Sequence, residues 1–211
     1  MGLDILKQAL IKGDQQTVAE LTQRALEEGH SAETVLNDAL ISGMDKVGEL
    51  FGQGEYFVPE LLLAARAMQS AMEVLRPILV ASDYQPAGKV IMGTVQGDLH
   101  DIGKKLVGMM LEGSGFEVID LGADVPPERF VEAVEENGAQ LVGLSALLTT
   151  TLPSMGATVG ALRDAELPAQ VKVMIGGAPV TLTFAREIGA DGYAPDASSA
   201  VVLARRLMAL D

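Results

Sequence analysis

The spacing of apolar positions changes once along the chain. As far as residue 81 they recur every three or four positions, which is the signature of helices with one buried face. Leu3, Ile5, Leu6, Ala9, Leu10 and Ile11 predict a short helix ended by Gly13, and Asp14 stands where it would cap the next. Val18, Leu21, Ala25 and Leu26 stripe a second helix that Gly29 stops. Ser31 predicts a cap for a third, although Thr34, in place of Glu or Gln, leaves the capping box incomplete. Val35, Leu36, Ala39, Leu40, Met44, Val47, Leu50 and Phe51 continue that helix. A fourth starts after Pro59, carries Leu62, Leu63, Ala67, Met68, Ala71 and Leu75, and is expected to end at Pro77. Four helices on short connections predict an N-terminal four-helix bundle over residues 1–81.

Residues 82–88, with Asp83, Gln85, Pro86 and Gly88, read as a polar linker. Beyond them the pattern alternates. Strands are expected at 89–95, 116–121, 140–146, 171–175 and 190–194, with helices near 101–113, 127–137, 154–165, 181–188 and 197–209. Strands separated by helices pair in parallel through right-handed crossovers. Residues 89–211 are therefore expected to form an α/β domain with a doubly wound, flavodoxin-like (Rossmann-like) five-stranded parallel sheet in the order 2-1-3-4-5. In that order the carboxyl ends of strands 1, 3 and 4 are neighbours beside the topological switch point, where such sheets bind ligands.

Three loops leave the chain there. The first is Gly97-Asp98-Leu99-His100-Asp101-Ile102-Gly103, the second Ser145-Ala146-Leu147-Leu148-Thr149-Thr150-Thr151, and the third Gly176-Gly177-Ala178-Pro179. Asp98 lies two residues before His100, a spacing that lets a carboxylate hold one ring nitrogen and leave the other for a metal. Gly97 and Gly103 flank the pair and would let a large flat ligand approach the backbone. Other uses of these residues remain open. The hydroxyls of Thr150, Thr151 or Ser154 suit helix caps, and Gly176-Gly177 suits a tight turn. The missing G-x-G-x-x-G pattern argues against a dinucleotide. After the second strand, Gly122 to Pro127 reads only as the start of a helix. Phe51, Phe57 and Val58, outside the helix period and beside Gly52 and Gly54, either pack between helices or cover a ligand. His30, between Gly29 and Ser31, reads as a surface turn residue.

Composition narrows the chemistry. The chain is 48% hydrophobic and 21% charged, as in globular proteins. Its net charge of −14 disfavours nucleic acid, whose phosphates need a basic face, and points to proteins or small molecules as partners. With no cysteine and 2 histidines, thiolate clusters and polyhistidine metal sites are excluded. A metal already held in a macrocycle and needing one axial ligand meets that restriction. Asp4 and Lys7 in the first helix exclude a signal peptide, and no apolar run reaches the roughly 18 residues of a membrane span. A cytoplasmic protein with no membrane partner is expected.

Val47-Gly48-Glu49-Leu50-Phe51, Gly54-Glu55-Tyr56-Phe57-Val58-Pro59-Glu60-Leu61, the Gly97 to Gly103 loop, Ser145-Ala146-Leu147 and Gly176-Gly177-Ala178 follow one another over nearly the whole chain. In this order and spacing they resemble the corrinoid methyl-carrier proteins of anaerobic methyltransferase systems, which are similar in turn to the cobalamin-binding module of methionine synthase. The resemblance implies cobalamin or a related corrinoid as cofactor, with methylcobalamin as the loaded state. It implies that His100 is the lower axial ligand to cobalt in place of the cofactor's own base, and that Asp98 holds its second nitrogen. Thr151 would continue the relay where methionine synthase has serine. Gly97, Leu99, Asp101, Ile102 and Gly103 complete the binding loop. Ser145 and Thr149 border the pocket of the nucleotide tail, Gly176, Gly177 and Ala178 leave it room, and Leu147 is a further cofactor-binding residue. Phe51 and Val58 match residues covering the methyl-bearing face, where methionine synthase has leucine in place of Val58.

The implied role is a carrier subunit without turnover of its own, since no acid-base constellation independent of the cofactor is present. It would take a methyl group from a substrate-specific methyltransferase and pass it to a second methyltransferase with a tetrahydrofolate or thiol acceptor. A reductive activase is a further expected partner. Methanol, methylamines, betaines and aromatic methyl ethers are all served by similar carriers, so the donor is left to the partner. A cobalamin-binding sensor or regulator is the alternative, but it needs an output module that this chain does not offer. A cofactor domain of an adenosylcobalamin mutase is a third reading, against which the helical half argues.

Overall fold

The helical half follows its periodicity with two departures. In the computed structural model, which describes residues 2–82, 84–167 and 170–210, it comprises α1 (Leu3–Ile11), α2 (Gln15–Glu27), α3 (Ala32–Thr34), a π-helical stretch (Val35–Ile41), α4 (Ser42–Gly52) and α5 (Val58–Ala81). Asp14 caps α2 by accepting from the Thr17 N–H, and Ser31 caps α3 by accepting from the Thr34 N–H. The third predicted helix is continuous but passes from α to π hydrogen bonding and back. Apolar spacing does not distinguish these patterns over so short a stretch. The second departure is a correction: α5 does not end at Pro77 but continues to Ala81. An internal proline costs about 3 kcal/mol. Burying Leu75 and Leu79 on either side of it returns roughly 1.5–3 kcal/mol each. Of the expected linker, Asp83 lies outside the described residues, and 84–88 hold neither helix nor strand.

The chain divides into two compact units, Met1–Pro86 with Gly113–Gly115, and Ala87–Glu112 with Phe116–Asp211. The second unit contains the sheet. Its elements are β1 (Lys89–Thr94), α6 (Ile102–Gly113), β2 (Glu117–Asp120), α7 (Pro127–Asn137), β3 (Leu141–Ser145), a 3-10 turn (Thr149–Thr151), α8 (Leu152–Asp164), β4 (Lys172–Gly176), α9 (Leu182–Glu187), β5 (Gly192–Ala194) and α10 (Ala197–Leu207). The strands run parallel in the order β2-β1-β3-β4-β5, as the alternation predicts, and element ends fall within 2 residues of expectation. Val90, Ile91 and Met92 in β1 and Leu141, Val142 and Leu144 in β3 are all buried. Such unbroken apolar runs suit strands covered on both faces by helices. Phe130 and Val134 of α7 and Met155 and Val159 of α8 fill one of those faces against Ile91, Val142 and Val173.

Register sets the level of the loops. Thr94, Ser145, Gly176 and Ala194 are successive cross-strand partners, so β1, β3 and β4 end in one row. The three loops singled out in the sequence leave from that row side by side.

Close packing of the sheet on α7 supplies a test. A Cβ on Gly93 would overlap the fully buried Phe130 ring. Gly93→Ala should therefore destabilise the protein by about 1–3 kcal/mol in urea unfolding. Adding Phe130→Leu should recover part of that loss, so the pair should be less than additive.

Candidate cofactor site

The first loop begins with a turn over Val95 to Asp98, closed by the Asp98 N–H donating to the Val95 carbonyl at 3.1 Å. Gly97, third in the turn, has φ +86°, which a residue with a Cβ adopts only with strain. The turn directs the Asp98 side chain inward, where it is 0% exposed. Its Oδ1 accepts from the His100 backbone N–H at 3.0 Å and faces His100 Nδ1 at 2.8 Å. Its Oδ2 accepts from the Leu147 N–H at 2.7 Å, the Leu148 N–H at 3.1 Å and the Thr151 hydroxyl at 2.8 Å. The Thr94 hydroxyl donates to the His100 carbonyl at 3.1 Å, so the loop is held from the last residue of β1 as well.

These contacts fix the protonation pattern. Burial opposes ionisation of Asp98, but the bonds from the His100 and Leu147 amides, the His100 ring and the Thr151 hydroxyl outweigh it and hold the carboxyl well below its ordinary value. An ionised carboxylate only accepts, so His100 Nδ1 carries the proton and donates. Nε2 is then the nitrogen with the free lone pair in the neutral ring. The His100 side chain is 53% exposed, which leaves that lone pair accessible. Thr151 has a single hydroxyl proton and two acceptors at 2.8 Å, Asp98 Oδ2 and the Leu148 carbonyl. The ionised acceptor is the stronger of the two.

The other predicted residues fall around this centre. Leu99 and Ile102 are 75% and 76% exposed, and Leu147 is exposed as well. With Leu148 they put an apolar surface on the two loops that meet at Asp98. Asp101 turns away to pair with Lys105 at 2.6 Å, and that ammonium holds its carboxyl below the usual range. A Cβ on Gly103 would meet nothing within 4 Å, so no protein packing demands glycine there. Ser145 is half-buried at the end of β3, while Thr149 and Ala178 are exposed. Gly177 has φ +127°, and a Cβ there would strike the Ala146 carbonyl oxygen; one on Gly176 would sit 3.0 Å from the Ala194 carbonyl. The double glycine thus lets the turn after β4 lie directly against the loop after β3. Thr151 stands at the N-cap of α8 but makes no capping bond, so its hydroxyl serves the Asp98 relay.

Phe51 and Val58 belong to the helical unit. Phe51 is half-buried in α4, whereas Val58 at the start of α5 is exposed, as is Phe57 before it at 64%. Exposure removes the inter-helix packing role for Phe57 and Val58.

Sequence reasoning missed four partners. Leu147 and Leu148 act through backbone amides, which no side-chain pattern announces. Thr94 is hidden in an apolar strand. Asp124, which accepts from the Gly97 N–H at 2.7 Å, lay in a loop read only as a helix start. Its position just after Gly122, in a turn-forming stretch, was the available signal.

The arrangement suits a metal that brings its own equatorial ligands. Among the described residues, no group of three or more His, Cys, Asp or Glu side chains could hold a bare ion. An exposed imidazole with its second nitrogen unengaged, apolar side chains around it and free space at Gly103 fit a metallated macrocycle. A doubly wound parallel sheet with a histidine loop at its switch point matches the class of cobalamin-binding α/β domains. Residues 88–202 match the family model for a B12 binding domain, and residues 3–76 match a second B12 binding domain model. Dimethylamine corrinoid protein 1 of Methanosarcina acetivorans is 43% identical over 208 residues, 98% of this chain and 97% of that protein. The crystal structure of a cobalamin-binding protein from Desulfitobacterium hafniense superposes with a TM-score of 0.79 at 38% identity, covering 98% of each chain. A chain of the methanol:cobalamin methyltransferase complex of Methanosarcina barkeri gives a TM-score of 0.86 at 29% identity, over 97% of this chain and 78% of that one. The chain belongs to this family of corrinoid methyl-carrier proteins, and its cofactor is cobalamin or a related corrinoid.

Asp98→Asn should destabilise the cofactor-free protein by about 2–4 kcal/mol in urea at pH 7, because the amide group must face at least one of the buried donors. The depressed carboxyl stabilises the fold above its unfolded value, near pH 4, and that contribution drains away as pH falls towards the folded value. Below about pH 4 the wild type should therefore lose stability more steeply than Asp98→Asn, bringing their unfolding midpoints together.

Proposed function

We propose that this chain carries a methyl group on a corrinoid cobalt, taking it from a substrate-specific methyltransferase and giving it to a second methyltransferase with a tetrahydrofolate or thiol acceptor. The observation that carries the reading is the accessible Nε2 of His100, backed at Nδ1 by the buried, ionised Asp98 at 2.8 Å. When bound, the corrinoid supplies a cobalt that accepts and releases methyl. The residues of the chain do the rest. His100 Nε2 would hold the cobalt. Asp98 fixes the ring's tautomer and direction and, by hydrogen bonding, makes it a better donor. Thr151 keeps Asp98 in place. Leu99, Ile102 and Leu147 would offer the macrocycle an apolar surface, and Gly97, Asp101 and Gly103 would complete the binding loop. Ser145 and Thr149 offer hydroxyls to the nucleotide tail, and Gly176, Gly177 and Ala178 leave it space.

Residues 1–81, as a four-helix cap, would shield the reactive face with Phe51 and Val58, and residues 82–88 would serve as the hinge that lets partners reach it. The exposed apolar Val58 and Phe57 support that role, since burial in the helical core does not account for them. A relative named as a dimethylamine corrinoid protein and a neighbour from a methanol:cobalamin methyltransferase complex support a carrier that works with partner enzymes, with a reductive activase as a further proposed partner. Relatives named for dimethylamine, for trimethylamine and for methanol support a donor chosen by the partner.

The test is the absorption spectrum of the protein reconstituted with cobalamin. Wild type should give a stable red complex with the cofactor base displaced and histidine coordinated. His100→Ala should lose that axial signature and bind more than about tenfold more weakly. Binding that ignores His100 would defeat the proposal.

A further inference from the structure

The loop after β2 holds the histidine loop from the side opposite Thr151. Strand pairing between β1 and this segment does not stop at Asp120: the Leu121 N–H donates to the Met92 carbonyl at 2.8 Å, and the Thr94 N–H donates to the Gly122 carbonyl at 3.0 Å. Pairing then resumes, with the Val125 N–H on the Thr94 carbonyl at 3.0 Å and a bridge between Val95 and Val125. Ala123 and Asp124 stand between those bonds, where regular parallel pairing has one residue, with φ +89° at Gly122 and +58° at Asp124. A bulge of this kind re-aims a side chain. Here it aims Asp124 at the turn that carries Asp98.

Two bonds join them. The Gly97 N–H donates to Asp124 Oδ1 at 2.7 Å, and the Asp124 N–H donates to the Asp98 carbonyl at 2.9 Å. One residue thus grips the Gln96–Gly97 and Asp98–Leu99 peptides, which flank the peptide between Gly97 and Asp98. The bulge is itself anchored: Asp120 Oδ1 accepts from the Gly122 N–H at 2.8 Å and pairs with Lys104, whose side chain is buried in the first turn of α6. The histidine loop therefore runs between two fixed ends, with Asp124 holding its start and Lys104 tying down the helix that follows.

We propose that Asp124 is a positioning residue for the Asp98–His100 pair: its carboxylate selects the orientation of the Gly97 peptide and so places the Asp98 carboxylate under the imidazole. Gly97, free at φ, cannot hold that orientation by itself, because glycine adopts several turn conformations at similar energy. The acceptor on its N–H supplies the selection. The consequence for methyl carriage rests on the reading of His100 as the axial ligand.

Two substitutions separate the acceptor from the backbone. Asp124→Asn keeps an acceptor oxygen and tolerates the left-handed conformation; Asp124→Gly keeps the conformation and removes the acceptor. In the cofactor-free protein, amide hydrogen exchange at Gly97 and the His100 Nδ1–H resonance report the turn directly. Asp124→Gly should speed Gly97 exchange about tenfold and broaden the Nδ1–H resonance, with strand amides such as Ile91 and Val142 unchanged. Asp124→Asn should stay within about twofold of wild type. In the reconstituted protein, Asp124→Gly should lower the histidine-coordinated fraction while Asp124→Asn restores it. Unaltered Gly97 exchange and an unaltered Nδ1–H signal in Asp124→Gly would overturn the proposal. So would failure of Asp124→Gly to fold, which would make Asp124 a residue of global stability. A wild-type protein that binds no cobalamin would instead defeat the carrier reading, and the measurement on the cofactor-free protein would still decide the role of Asp124.

Discussion

The buried Asp98 carboxylate joins two loops that are remote in sequence. Its Oδ1 is engaged by the backbone and ring of His100, and its Oδ2 by the Leu147 and Leu148 amides and the Thr151 hydroxyl. A carboxylate withdrawn from water costs several kcal/mol unless it is met by enough donors, so the group is stable only where both loops are in place. The reverse also holds. Without the carboxylate, the two amides at the start of the loop after β3 and the imidazole Nδ1–H would lose their common acceptor. The tautomer and direction of His100 and the path of the chain into α8 all depend on this one ion.

The sheet makes that meeting possible. Parallel pairing with the register Thr94–Ser145–Gly176 brings the ends of β1, β3 and β4 to the same level, and the order β2-β1-β3-β4-β5 makes them neighbours. Gly177 lies so close to the Ala146 carbonyl that only a residue without a side chain can follow β4. Close backbone approach on one side and the bulge at Gly122 to Asp124 on the other confine the histidine loop from both directions.

The site carries its own departure from ordinary folding rules. Leu99 in the loop and Ile102 at the start of α6 are large, apolar and about three-quarters exposed. A free-standing protein surface gains nothing from such residues, and a cluster of them marks a surface meant to be covered.

Much of this was legible in the chain. The change from helical to alternating spacing near residue 81 predicted the helices and the five parallel strands, because burying one stripe or both faces leaves a periodic trace, and the flavodoxin-like pattern common to such alternation supplied their order. Asp98-x-His100 was legible for a similar reason: the two side chains lie on neighbouring residues, so local geometry alone can pair them. Other features left no such trace. The passage of α5 through Pro77 to Ala81 was decided by the burial of Leu75 and Leu79, which outweighs the local penalty of proline. Thr151 reads in sequence as a helix cap, and only its distance to Asp98 gives it another task. The amides of Leu147 and Leu148 and the grip of Asp124 on Gly97 were invisible, because backbone donors are the same in every sequence. The sequence by itself therefore determined the periodic elements and the local Asp98–His100 pair. Tertiary structure alone decided which distant groups neutralise the buried carboxylate, because that choice depends on strand register and loop path, which no local pattern encodes.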